Sequence, residues 1–567
     1  MKKLRWQLII IFLTGMVVGV LLLGETPTSQ VRTVERKNQG GVYSEALIGS
    51  LQRLNPLLDH YNPVDRDVDR LIFSGLIRFD TRGVPVADLA ESWGISKDGL
   101  IYNFTLRSGV TWHDGTPLTA DDVIFTIETM RMGAPVVPAD LVAFWENVEV
   151  KRLSDVTLQF QLPEAFAPFL DYLTFGILPQ HLLGGMSIDQ IVEEPFNLQP
   201  VGSGPFKFNR LIIENSEIKG VVLGVNNAYY GQVPYLNEVV FRYYPDSKTA
   251  FSAYEQGNVL GISEVTPDIL PDVLANPGLA VYTGRNPAQT IILLNLNNPE
   301  VPFFQDVKVR QALLTGLNRQ RLVDRMLGGQ GIIADGPILP DTWAYYNNTG
   351  QIEFDPTNAE KILKDAKYIF TGEDATVRKK DDVALEFTLL HPDDPYYLEL
   401  AKLIQENWNA LGMDVELQAV PYEELVNVNL DDREYQAALI ELNFSRSPDP
   451  DPYPFWDQAQ VTGGQNYSQW DNRTASEYLE KARVTVNMDD RARLYRNFQL
   501  IFAEEMPALP LFYSVYSTAI DYQVQGVTMG PLFDRSDRFS TINNWYFAAR
   551  RPSINTEVIE TTATVQP

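Results

Sequence analysis

Strand-period and helix-period apolar patterns alternate along this chain from Gly41 to about Ala549, with no low-complexity block and no short repeat. That alternation restricts it to a mixed α/β architecture. Tyr102, Phe104 and Leu106 alternate with Asn103 and Thr105 just after Asp98-Gly99, which predicts one half of a hairpin. Val156, Leu158, Phe160 and Leu162 repeat the two-residue period. Between these runs, Thr119 and Asp122 form a helix-capping pattern, and Val123, Ile124, Ile127 and Met130 supply the buried stripe. The later signals are longer αβ units. Asp355-Pro356 starts a helix with Ala359, Ile362, Leu363 and Ala366 on one face. A second helix carries Ala401, Ile404, Trp408 and Leu411, stops at Gly412, and leads into Val415, Leu417 and Ala419. With 567 residues the chain exceeds a single core, so about two to four structural units are expected. No compositional linker separates them, which points to interleaved domains rather than beads on a string.

A formal net charge of −27 makes nucleic-acid backbones and anionic membrane surfaces poor partners. There is no cysteine, which excludes a disulfide framework, a thiolate metal site, a cysteine nucleophile and a lipid-modified cysteine anchor. Lys2, Lys3 and Arg5 precede an uncharged apolar run over 6–24, long enough to cross a bilayer as a helix with its N-terminus inside. A cleaved signal peptide is the rival reading, but Leu22-Leu23-Gly24-Glu25 lacks the usual small-residue cleavage pattern. Residues 25–41 read as a polar tether, and 550–567 as a disordered tail.

Enzyme chemistry finds little support. The four histidines, His60, His113, His181 and His391, form no metal-binding pair, and there is no phosphate loop or nucleophile elbow. Gly202-Ser203-Gly204-Pro205 reads as a tight turn. Trp112-His113-Asp114-Gly115 reads as a turn leading into the helix after Thr119 rather than an acid–base pair. The most unusual segment is 447–456, where four prolines make a rigid loop presenting aromatics. Asp449, Asp451 and Asp457 lack the glycine and distal glutamate of a calcium loop, so a structural or pocket-lining role is expected. Gly463-Gly464-Gln465-Asn466-Tyr467 fits a ligand contact and a surface turn equally well. No cofactor, metal site or catalytic residue is assigned.

The order of motifs is more informative than any one of them. Leu54-Asn55-Pro56 is followed by Leu89-Ala90-Glu91-Ser92-Trp93, then by Tyr102-Asn103-Phe104-Thr105-Leu106-Arg107 running into Trp112-His113-Asp114-Gly115-Thr116-Pro117. Val201-Gly202-Ser203-Gly204-Pro205-Phe206, Val309-Arg310-Gln311-Ala312-Leu313, Asp449-Pro450-Asp451-Pro452-Tyr453 and Asn466-Tyr467 complete the series. Together they resemble the peptide-, nickel- and oligosaccharide-binding proteins of ABC importers, family 5 of the extracellular solute-binding proteins.

The resemblance implies a two-lobed periplasmic-binding-protein-like α/β fold (type II, cluster C) with an extra inserted domain. It assigns 42–85, 200–285 and 514–549 to the first lobe, 86–199 to the insert and 286–513 to the second lobe. It implies a monomer on the periplasmic or extracellular side of the cell membrane, tethered by residues 1–24. Such a protein would close around a peptide or other small polar solute and deliver it to permease subunits. The contacts it implies are Tyr61, Asn62 and Pro63, in a strand-like stretch, facing Leu442, Asn443, Phe444 and Arg446. Asp449, Asn466 and Tyr467 complete that set. Arg446 stands where peptide binders often place an aspartate for the ligand's α-ammonium. A guanidinium there favours a carboxylate, phosphate or sugar hydroxyl, or else pairs with Asp449. A membrane-anchored receptor or scaffold with the same fold, and a secreted hydrolase, are the alternatives.

Overall fold

A computed structural model describes residues 39–445 and 448–548. The 6–24 run, most of the tether, Arg446 and the 550–567 tail lie outside the described residues. Among the described residues, no helix is long and apolar enough to cross a membrane.

An eleven-stranded mixed sheet runs through the molecule. At one end Val42–Ile48 pairs in parallel with Glu238–Tyr244, which continues antiparallel into the Glu217–Val225 and Phe206–Glu214 hairpin. At the other end Glu386–Pro392 lies parallel to both Asp414–Val420 and Ala437–Asn443. Two long antiparallel strands, Leu279–Leu294 and Ala508–Asp521, join the halves. At about 3.3 Å per residue the longer one spans about 50 Å, enough to serve two cores.

The packing shows that it does. Near Leu279 and Val281 the pair packs with Ala46, Ile262 and Ala519, against one lobe. Further along, Ile291, Ile292, Leu293 and Leu294, with Leu509, Leu511 and Phe512, belong to the cores of the other. The ladder register shifts between Arg285 and Gln289, where the strands pass from one core to the other. A shift of this kind locally breaks the hydrogen-bond ladder and bends the strand.

A separate four-stranded antiparallel sheet, Ala90–Ile95, Ile101–Leu106, Thr157–Gln161 and Glu149–Ser154, packs on the helix Ala120–Arg131. Tyr102 sits opposite Phe160, and its ring lies 4.7 Å from Phe169. The Asp122 carboxylate accepts a hydrogen bond from the Thr119 amide (2.8 Å), so the predicted cap forms, and it also accepts one from the Gln180 amide (2.9 Å). The segment around Arg538 packs against the strand Val42–Ile48 and the helix Pro63–Ile72. Arg538, 2% exposed, donates to Glu45 (3.0 and 2.9 Å) and bidentately to Asp67 (2.6 and 2.7 Å).

Candidate functional site

Between the lobes lies a cavity of about 960 Å³, the size of a solute-binding cleft. The helix Pro63–Ile72 contributes Arg66, Asp69 and Arg70, three or four positions apart and therefore on one side of it. The four-stranded region adds Trp145, Phe166, Asp171, Tyr172 and Phe175, and the C-terminal segment adds residues between Gly530 and Asn544. The second lobe supplies Asn443, Phe444 and Ser445, the proline loop at Pro448 to Asp451, Pro454, Phe455 and Gln465.

The proline loop is pinned by charge. Asp449 is 4% exposed, pairs with Arg491 at 2.6 Å, and accepts from the Tyr495 hydroxyl at 3.1 Å. Arg491 in turn lies 4.7 Å from the Trp343 ring centroid. Asp451 pairs with Arg483 at 3.1 Å, and Asp457 caps the next turn by accepting from the Ala459 amide. The three carboxylates face three different partners. Among the described residues no acidic or histidine group converges in metal-binding geometry.

Hydrogen bonds also cross between the lobes. The Asp449 amide donates to the Asp171 carboxylate at 2.9 Å, and the Trp343 amide donates to the Arg82 carbonyl at 2.9 Å. Burial, and then the nearby Asp449, hold the Asp171 carboxyl well above the usual carboxylate range. Burial pushes Asp451 up to about 6.

The other residues implicated by sequence fall in several places. Tyr61 is 80% exposed, and Tyr61, Asn62 and Pro63 flank the lining residues Asp59 and His60 without lining the cavity themselves. Their local structure corrects the strand-like expectation. Asn62 is a helix N-cap whose side chain accepts from the Val64 amide (3.1 Å), and Pro63 is the first helical residue. An Asn-Pro pair is itself a helix-start signal, because proline there loses no hydrogen bond.

Leu442 is buried in the strand Ala437–Asn443, opposite Gln289. Asn443 and Phe444 do line the cavity. Asn466 is fully buried, donating to the Asp457 and Trp470 carbonyls. Tyr467 lies under Arg433 at 4.9 Å and donates to Asp431 at 3.2 Å, and neither Asn466 nor Tyr467 lines the cavity.

The His113 ring faces inward rather than toward Asp114. It accepts from the Gly202 amide (3.2 Å) and lies 3.1 Å from the Gly204 carbonyl, while Asp114 meets His181 at 2.7 Å. Burial lowers His113 to about 4. Gly202 and Gly204 pack against the end of the helix Pro63–Ile72, where the Gly204 amide donates to the Ile72 carbonyl at 2.7 Å. A Cβ on Gly204 would stand 2.5 Å from the Leu71 carbonyl oxygen, so close backbone approach, not turn conformation alone, requires glycine.

Sequence reasoning missed the contribution of the Pro63–Ile72 helix to the cleft, together with Asp171 and the segment from Gly530 to Asn544. An unusual Asp-Arg-Asp-x-Asp-Arg run over 65–70 was the available signal, since it reads as too charged for a buried helix.

Comparison with known proteins agrees with this architecture. The model of bacterial extracellular solute-binding proteins, family 5, matches residues 84–465. The oligopeptide-binding protein AppA of Bacillus subtilis is 27% identical over 532 residues, covering 92% of this chain and 94% of AppA. The dipeptide-binding protein of Escherichia coli is 26% identical over 477 residues, covering 79% and 84%. The solved structure of the B. subtilis AppA in complex with a nonapeptide superposes with a TM-score of 0.63 at 26% identity, covering 91% of this chain and all of AppA's. With two lobes around a cleft and a family match over two thirds of its length, this chain belongs to the family 5 bacterial extracellular solute-binding proteins.

Proposed function

We propose that this protein is the extracytoplasmic binding component of an ABC importer, capturing a peptide or peptide-like solute between its lobes and handing it to the permease intact. The observation that carries this reading is a cleft of about 960 Å³ lined from both lobes, with two long strands joining them. Those strands act as the hinge, bending near the register shift between Arg285 and Gln289. In this reading residues 42–85, 200–285 and 514–549 move as one body with the 86–199 insert, and 286–513 as the other. Ligand shifts the population toward the closed form because only that form contacts it from both sides.

Relatives described as oligopeptide- and dipeptide-binding support a peptide ligand. The strand ending at Asn443, followed by Phe444 and Ser445 in the lining, offers backbone that an extended peptide can pair with. Arg446 takes a polar or anionic ligand group, and residues 1–24 hold a monomer at the membrane. The chemistry is capture and release, with no bond of the solute broken.

Native mass spectrometry of residues 39–548, before and after denaturation and refolding, tests the reading. A co-purifying mass lost on unfolding, whose fragments are peptide, supports it. An empty protein that shows no thermal shift against peptide libraries contradicts it and favours a receptor or scaffold role.

A further inference from the structure

Four arginines line the cleft, and two of them are taken by neighbouring carboxylates. Arg66 pairs with Asp534 at 2.7 Å and Arg70 with Asp537 at 3.3 Å. Arg78 and Arg107 are different, since among the described residues neither guanidinium has an ion-pair partner within 4 Å.

Arg78 lies on the short strand Ile77–Phe79, next to buried Ile77, so its side chain takes the opposite, exposed face. Arg107 follows the strand Ile101–Leu106. Its Nε donates to the Asp88 carbonyl at 2.7 Å, and its Cζ lies 5.9 Å from the Tyr230 ring centroid. Those contacts hold the guanidinium in place while its two terminal nitrogens have no protein partner and stay open to solvent. A lone exposed arginine is ordinarily just hydrated. Here two act on the same carboxyl, that of Asp88, inside a cleft.

Asp88 does not use them up. It accepts from the Tyr230 hydroxyl, and burial holds its carboxyl above the usual range despite the arginines around it. Asp80, two residues beyond Arg78, turns one oxygen to the Arg82 and Val84 amides at 2.8 and 2.9 Å. Most other acids of the lining are answered elsewhere, Asp449 and Asp451 by Arg491 and Arg483 from behind the proline loop. Around Arg78 and Arg107 positive charge is therefore in surplus, with free N–H groups aimed at the space a solute would fill. Paired guanidinium forks match the planar geometry of a carboxylate.

We propose that Arg78 and Arg107 form an anion subsite in the cleft, where the Ile77–Phe79 strand meets the four-stranded sheet, and that it takes a carboxylate of the bound peptide. This rests on the peptide reading above and narrows it to peptides that present a carboxylate there, from the C-terminus or from an acidic side chain. Arg78 and Arg107 are specificity residues, and neutral peptides still bind through the rest of the cleft.

The test is calorimetry on the full chain with pentapeptides that differ only in charge. One carries a central Gln and a C-terminal amide, a second a central Gln and a free C-terminal carboxylate, and a third a central Glu and a C-terminal amide. The expected result is that at least one carboxylate peptide binds tenfold or more tighter than the neutral one. Which of the two does so separates an α-carboxylate from a side-chain source.

Arg78→Gln and, separately, Arg107→Gln should each reduce the preference below threefold while leaving neutral-peptide affinity within twofold, which also reports that the variants are folded. Arg78→Lys, which keeps the charge and loses the fork, should retain more of the preference than Arg78→Gln. Equal binding of neutral and carboxylate peptides by the unaltered protein would overturn the subsite and leave the peptide reading standing. So would a preference unchanged in either Gln variant. Absence of binding by every peptide, whatever its charge, defeats the peptide reading itself and the subsite with it.

Discussion

Replacing Arg538 with Met tests how the segment around it is tied to the strand Val42–Ile48 and the helix Pro63–Ile72. The guanidinium is buried against Glu45 and Asp67, which are 0% and 7% exposed, and it donates two hydrogen bonds to each. Methionine keeps much of the apolar stem volume but removes the only cation in contact with Glu45 among the described residues. Glu45 retains one hydrogen bond, from the Tyr43 hydroxyl at 2.6 Å. Removing one partner of a buried ion pair costs about 3–5 kcal/mol, chiefly by leaving charge buried and uncompensated. The loss therefore belongs at that level in urea unfolding followed by tryptophan fluorescence, with Trp545 packed 5.2 Å from Tyr43 as a local probe.

The penalty should also depend on pH. Burial already raises the pKa of both carboxyls, and Arg538 is the largest influence lowering them. Without it their folded pKa values climb further above the unfolded ones. Stability contributed by such groups is present at low pH and lost as pH rises. The variant should thus lie nearer the wild type at pH 5 than at pH 8. Adding Glu45→Gln and Asp67→Asn should recover most of the loss. A cost below about 1 kcal/mol, or one independent of pH, would refute the reasoning.

Three further outcomes follow from particular contacts. Gly204→Ala should destabilise by about 3 kcal/mol in the same assay, since its Cβ meets the Leu71 carbonyl oxygen at 2.5 Å, and a change under about 0.5 kcal/mol would contradict the close approach. Asp451, raised to about 6 by burial, should contribute stability that is present below the ordinary carboxylate range and is lost as pH rises through about 6. Asp451→Asn should flatten the pH dependence of the urea midpoint between pH 4 and 7.5, and an unchanged slope would exclude it as the titrating group. Arg446→Ala should weaken affinity for the co-purified solute at least tenfold, and unchanged affinity would remove Arg446 from the ligand contacts.

Local periodicity was legible wherever one segment decided its own structure. The hairpin through Tyr102 and Phe104, the Asp355-capped helix Pro356–Asp365, and the helix Pro395–Ala410 ending near left-handed Gly412 all follow from alternation, caps and glycine. The ordered motifs carried the family, because they record positions across the whole chain rather than any one site. The cleft was less legible, since it is assembled from segments hundreds of residues apart. Asn466 is polar and near the proline loop, but its amide is spent on the Asp457 and Trp470 carbonyls, a long-range fact no local pattern encodes. Asp69 and Asp171 show the converse. Each is an ordinary aspartate in sequence, and only burial beside other carboxylates sets it apart.

Small-angle X-ray scattering of residues 39–548, with and without the solute identified by mass spectrometry, tests the central claim most directly. Closure around ligand predicts a smaller radius of gyration in the complex, and full reversal when the solute is removed. Saturating binding with superimposable scattering curves would contradict capture by closing lobes.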